Sequence, residues 1–120
     1  MKTRGELESE ISQAIVRFEK EQMGRGPLET RTYIIDDMVL IRLTNVLTPA
    51  ERNLAAESER GRELIKEMRQ RLIEKSRPLL DAFIKDITGV NVISLHTDIS
   101  SRTGERVFVF TLEAEPKVRV

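Results

Sequence analysis

Leu7, Ile11, Ala14, Ile15 and Phe18 recur at intervals of three and four residues, the spacing that lines up side chains on one face of an α-helix. Glu8, Glu10, Arg17, Glu19, Lys20 and Glu21 occupy the remaining positions, so the pattern predicts an amphipathic helix over residues 4–23 with its charges in solvent. Thr3 and Glu6 have capping-box spacing at its start, and Gly24 with Gly26-Pro27 stops it. The period then changes to two. Thr30, Thr32 and Ile34 alternate with Arg31, Tyr33 and Ile35, which predicts a strand over 28–35. A second strand over 38–47 follows the polar Asp36-Asp37, so the two form a hairpin. Val39, Ile41 and Leu43 share one face of that second strand and Met38, Leu40 and Arg42 the other. Apolar on both sides, it should be central or be covered by a partner.

Thr48-Pro49-Ala50-Glu51 joins a capping box to a proline at the first helical position, where its missing N–H costs nothing. No strong stop follows until Gly89, so a second helix is expected over 49–88. At ~1.5 Å per residue it would run about 60 Å, twice the diameter of so small a domain. It must bend, break or pack on a second subunit. The weak points are Gly61, inside a polar interval over 57–62, and Pro78. Two alternating segments, 90–99 and 106–114, predict a closing hairpin, with residues 115–120 as a frayed tail.

The order α-β-β-α-β-β predicts a single α+β domain over 1–120. The expected architecture is a two-layer sandwich: a four-stranded antiparallel sheet with helices on one face, the second helix long and bent. The expected core is Leu7, Ile11, Ile15, Phe18, Ile41, Leu64, Met68, Leu72, Phe83, Ile84, Phe108 and Phe110.

Charge and composition then narrow the function. Twenty basic residues balance twenty acidic ones, with a pI near 6.6, which argues against a dedicated nucleic-acid binder. Without cysteine there is no thiol nucleophile and no disulfide. No apolar run approaches the ~18–20 residues of a membrane span, and no secretory leader is read at the N-terminus. A cytoplasmic protein with no direct membrane insertion is expected.

His96 is the only histidine, and Asp98 lies two residues on, so both project from one face of a strand. They can be read as a base with its orienting carboxylate, as two metal ligands, or as an exposed strand face. The last is favoured, because no nucleophile, third ligand or phosphate loop accompanies them. Gly24-Arg25-Gly26-Pro27 offers Arg25 as an anion contact, but no helix start follows it, so a helix stop explains it better. Arg60, Arg62, Arg69 and Arg71 are interleaved with Glu59, Glu63, Glu67 and Glu74 and read as a solvated, salt-bridged face. The candidate contact site is therefore His96, Asp98 and Arg25. No catalytic residue, cofactor or metal is assigned, and an enzyme is not expected.

Five segments taken in order resemble the MpsC family, formerly a domain of unknown function and named after a sodium-translocating, membrane-potential-generating system. They are Gly24-Arg25-Gly26-Pro27, the strand Asp37–Leu43, Thr48-Pro49-Ala50-Glu51, Leu95–Ser100 and Val107–Leu112, and the likeness spans residues 5–114. The resemblance implies a soluble, non-enzymatic accessory or regulatory component of a bacterial membrane ion or inorganic-carbon transport system. It would work at the inner face of the membrane through a membrane transport protein. The expected assembly is a homodimer, from the length of the second helix and the two-sided apolar strand. The alternative is an RNA- or small-ligand-binding domain that uses one sheet face.

Overall fold

A computed structural model describes residues 1–120. Helix α1 (Arg4–Met23) leads into the hairpin β1 (Glu29–Ile35) and β2 (Met38–Thr44). Helices α2 (Pro49–Glu57) and α3 (Glu59–Thr88) follow, then β3 (Val92–Ile99) and β4 (Arg106–Leu112). The four strands form one antiparallel sheet in the order β1-β2-β4-β3, so the two hairpins meet along β2 and β4. The α+β sandwich expected from the chain's periodicity is the fold observed.

Both capping boxes form. Thr3 Oγ1 accepts from Glu6 N at 3.1 Å while Glu6 Oε1 accepts from Thr3 N at 3.1 Å, and Gly24 closes α1 at φ 82°. Thr48 and Glu51 repeat the exchange at 3.2 and 2.9 Å. The hairpin turn is the two residues Asp36-Asp37, with Asp36 at φ 55°, a left-handed conformation that Asp tolerates better than most residues.

The single helix expected over 49–88 is two helices. Ser58 is extended (φ −164°), ends α2, and caps α3 through its hydroxyl, which accepts from Gly61 N at 3.0 Å. Gly61 is therefore not a defect in a helix interior but a close-contact point in the first turn of α3. A Cβ built there would lie 2.1 Å from the Leu54 carbonyl oxygen. α3 continues unbroken through Pro78. Its thirty residues give a length of about 45 Å, close to the 49 Å long axis of the molecule.

The pleat sorts the sheet into two faces. Across the helix-covered face the rows read Ile34, Val39, Phe110, Leu95 and Thr32, Ile41, Phe108, Thr97. Phe108 and Phe110 stack with ring centroids 6.2 Å apart. Leu7, Ile11, Ile15 and Phe18 of α1 close this core, together with Ile65, Ile73, Leu80 and Ile84 of α3. Leu64 and Met68, expected in the core, are instead 40 and 45% exposed, and Leu72 and Phe83 are half-buried. One residue is about 100° around a helix, so the stripe beginning at Ile65 faces inward and its neighbour beginning at Leu64 is turned out. Residues 115–120, expected to fray, return to the start of the chain. Pro116 is buried, Arg119 N donates to the Lys2 carbonyl at 2.8 Å, and Arg119 pairs with Glu6.

Candidate functional site

On the inward stripe of α3, one turn from Ile65 and one turn from Ile73, stands an arginine. Arg69 is 1% exposed. Its Nε and Nη2 each donate to a different oxygen of Glu51 at 2.7 Å, a two-pronged pairing that matches the guanidinium fork. Nη2 also donates to the Val46 carbonyl at 3.0 Å. Nη1 faces Glu19 Oε1 of α1 at 3.7 Å, beyond a hydrogen bond, and neither Glu19 oxygen has a hydrogen-bond partner. Arg106 of β4 is buried nearby. Its Nη1 donates to Thr97 Oγ1 at 2.7 Å, and its guanidinium lies 5.5 Å from the Phe108 ring centroid.

These four side chains tie α1, the start of α2, α3 and the sheet together through charge inside the core. Burial pushes the Glu19 carboxyl above the usual carboxylate range; Arg69 and Arg106 oppose this and Glu51 adds to it. Burial also acts upward on Glu51, but the Arg69 bonds and the Thr48 N–H outweigh it and hold that carboxyl low. Desolvation brings Arg106 down to about 10, with Glu19 pulling the other way. Arg106 thus stays cationic at neutral pH. The network is a structural clamp by its geometry: it contains no nucleophile, and no group of three or more His, Cys, Asp or Glu side chains converges to hold a metal ion.

The opposite face of the sheet carries His96 and Asp98. Tyr33, Leu40, Val109 and His96 form one row across the four strands, and Arg31, Arg42, Val107 and Asp98 the next. Both His96 and Asp98 are exposed. Asp98 Oδ1 accepts from its neighbour Ile99 N at 2.8 Å and lies 3.4 Å from Lys66 Nζ of α3. The backbone bond holds its carboxyl below the usual range; burial opposes it, and Lys66 and then Arg106 add to the lowering. Asp98 is thus engaged with Ile99 and Lys66. Arg25 is held elsewhere, on the α1–β1 connection, where its Nη1 donates to the Leu47 carbonyl at 3.0 Å. The three candidate contact residues do not form one cluster.

Two apolar surfaces remain open. Tyr33, Ile35 and Met38 are exposed on the uncovered sheet face beside half-buried Leu40, Val107 and Val109. Along α3, Leu64, Met68, Leu72, Leu79 and Phe83 make a second stripe beside the buried one.

Both capping boxes and all seven elements lie within residues 3–114, the span matched by a family model. The model described as "Na+-translocating membrane potential-generating system (MpsC)" matches residues 3–114. The chain belongs to the MpsC family. Another similar protein is "Uncharacterized protein YbcI" of Bacillus subtilis (strain 168), 46% identical over 111 residues, which cover 92% of this chain and 89% of the relative. No solved structure matches. In this MpsC-family chain no helix is long and apolar enough to cross a membrane.

Reading charge as solvated missed the buried network. Glu19 was assigned to the helix surface and Arg69 to a salt-bridged face, yet both are core residues. The signal was present: Arg69 lies four residues from both Ile65 and Ile73, and Glu19 four from Ile15.

Proposed function

We propose that this MpsC-family chain is a soluble, non-enzymatic accessory or regulatory component of a bacterial membrane ion or inorganic-carbon transport system, acting as a homodimer. It would sit in the cytoplasm, at the inner face of the membrane, through a membrane transport protein. The observation that carries the reading is the outward stripe of α3. Leu64, Met68 and Leu79 are exposed over most of a helix that spans the molecule, and two copies laid along it would cover them. The family name, which refers to a sodium-translocating system, supports the membrane connection. The open sheet face, with His96 and Asp98 at one side of an apolar centre, is the surface we assign to the transport partner. An RNA-binding role has less support, because Arg31 and Arg42 on that face are already paired with Glu29 and Glu105.

Light scattering at micromolar concentration should give twice the 13.8 kDa of one chain. Met68→Asp should return the mass to that of one chain without unfolding it, since Met68 is outside the core. A wild-type monomer, or a Met68→Asp dimer as tight as the wild type, would refute the arrangement. Leu80→Asp cannot serve here, because Leu80 is fully buried.

A further inference from the structure

At the end of the molecule where the β2–α2 connection, the α2–α3 elbow and the β3–β4 loop meet, a cavity of about 360 Å³ opens to solvent. That is near the lower end of the ~300–1,000 Å³ range typical of small-molecule sites. Arg52 of α2, Arg62 of α3 and Arg102 of the β3–β4 loop line it, with the Ser101 and Thr103 hydroxyls and Gly104, and no carboxylate lines it. None of the three arginines is in an ion pair, whereas Arg42, Arg60, Arg71 and Arg77 each have a carboxylate partner. Two carboxylates near the lining are engaged elsewhere, Glu105 with Arg42 and Glu51 with Arg69, and Glu57 and Glu59 of the elbow do not line the cavity. Three like charges around one concavity repel one another and focus a positive potential into it, in a chain whose net charge is zero.

The donors are also prepared. Arg62 is steadied by one bond from Nη1 to the Ala55 carbonyl at 3.1 Å, which leaves its other N–H groups to point elsewhere. Thr103 Oγ1 accepts from Glu105 N at 3.2 Å, so its hydroxyl proton remains to be donated. The loop itself is fixed. Gly104 adopts φ +75°, its N donates to the Ser100 carbonyl at 2.8 Å, and its carbonyl accepts from Val46 N at 2.9 Å.

We propose that this cavity binds the phosphate groups of a small soluble molecule. Guanidiniums contributed by three separate segments surround a tetrahedral, multiply charged oxyanion better than a planar monoanion, and forked N–H pairs suit phosphate oxygens. The exposed rim is made of arginine, hydroxyl and alanine side chains, and the one large apolar lining residue, Leu47, is buried in the floor and not free to enter a bilayer, which favours a soluble source over a lipid headgroup. The proposal does not rest on the dimer, since none of these residues lies on the outward stripe of α3 or on the open sheet face.

Calorimetric titration with inorganic pyrophosphate, against sodium chloride of matched ionic strength, tests it. Saturable binding is expected, weakened at least tenfold in the double variant Arg52→Gln/Arg102→Gln and partly in each single variant. Both side chains are exposed and make no bonds in the fold, so the ligand-free melting temperature should stay at the wild-type value. Arg17→Gln, an exposed arginine of α1 outside the cavity, should bind as the wild type does. Absence of saturable pyrophosphate binding, or equal affinity in the double variant, would overturn the proposal. So would capture of the chain only by phosphatidylcholine vesicles containing phosphatidic acid.

Discussion

Replacing Arg69 by methionine removes a charge from the core while keeping roughly its length and its apolar stem. Two 2.7 Å bonds to Glu51 and a 3.0 Å bond to the Val46 carbonyl disappear, and Glu19 loses the only cation within 4 Å. The pair itself contributes little net stability, because desolvating both ions offsets most of their attraction. The cost of the substitution lies in what remains: Glu51, with little solvent access, and Glu19, with none. Breaking a buried pair by deleting one partner costs about 3–5 kcal/mol. Against a total stability of ~5–15 kcal/mol for a domain of this kind, that is a large share. Equilibrium urea unfolding followed by circular dichroism at pH 7, at one fixed protein concentration, should show the loss. Arg69→Lys keeps the charge but not the fork and should fall between. Arg71→Met, on the same helix but in an exposed pair with Glu67, should cost no more than about 0.5 kcal/mol. If Arg69→Met and Arg71→Met unfold at the same urea concentration, the buried network carries none of the stability argued for it.

Two further outcomes follow from the same structure. Glu19 has its carboxyl raised by burial from 4.5, so whatever stability it contributes is complete below that value and is lost as pH rises through its folded pKa. Glu51, held low, behaves oppositely: its contribution is present above 4.5 and lost as pH falls. Glu19→Gln removes only the first effect, so urea midpoints of variant and wild type compared at pH 4.5 and pH 7 should shift in the variant's favour as pH rises; a difference independent of pH would contradict this. Gly61→Ala should lower the melting temperature although alanine is the better helix former by ~1 kcal/mol, because its Cβ would meet the Leu54 carbonyl oxygen at 2.1 Å. A stabilised Gly61→Ala would show that the elbow is not set by that contact.

The elements legible in the chain are those specified by local chemistry. Thr3 with Glu6 and Thr48 with Glu51 form helix starts within four residues of sequence, and the alternation in 106–112 puts Phe108 and Phe110 on one face whatever they pack against. What local pattern could not supply is rotation and partnership. Leu64 and Ile65 are both apolar and adjacent, so either could begin the buried stripe, and only α1 and the sheet decide between them. The break expected within the polar interval 57–62 is there, but its cause lies in a different residue. Gly61 was read as the weak point by its helix propensity, whereas the break is made by Ser58, whose hydroxyl can end one helix and cap the next. His96 and Asp98 were placed on one strand face by pleat alone. The engagement of Asp98 with Ile99 and Lys66 depends on the position of α3 and was not readable.

Val46 links the buried charged network to the arginine-lined cavity. This fully buried residue donates its N–H to the Gly104 carbonyl, beside the arginine-lined cavity, and offers its carbonyl to Arg69 in the core. The next residue, Leu47, lines the cavity and has its carbonyl held by Arg25. The backbone beneath the cavity is thus fixed from three sides, by bonds whose donors come from α3, the α1–β1 connection and the β2–α2 connection itself. A ligand that meets a floor already fixed spends less of its binding free energy on ordering the protein. In that light Arg25, first considered as a contact residue, is better placed to stiffen a site than to touch a partner. The buried Glu51–Arg69 pair, which adds little to stability on net, would be retained because it sets the path of the chain between β2 and α2.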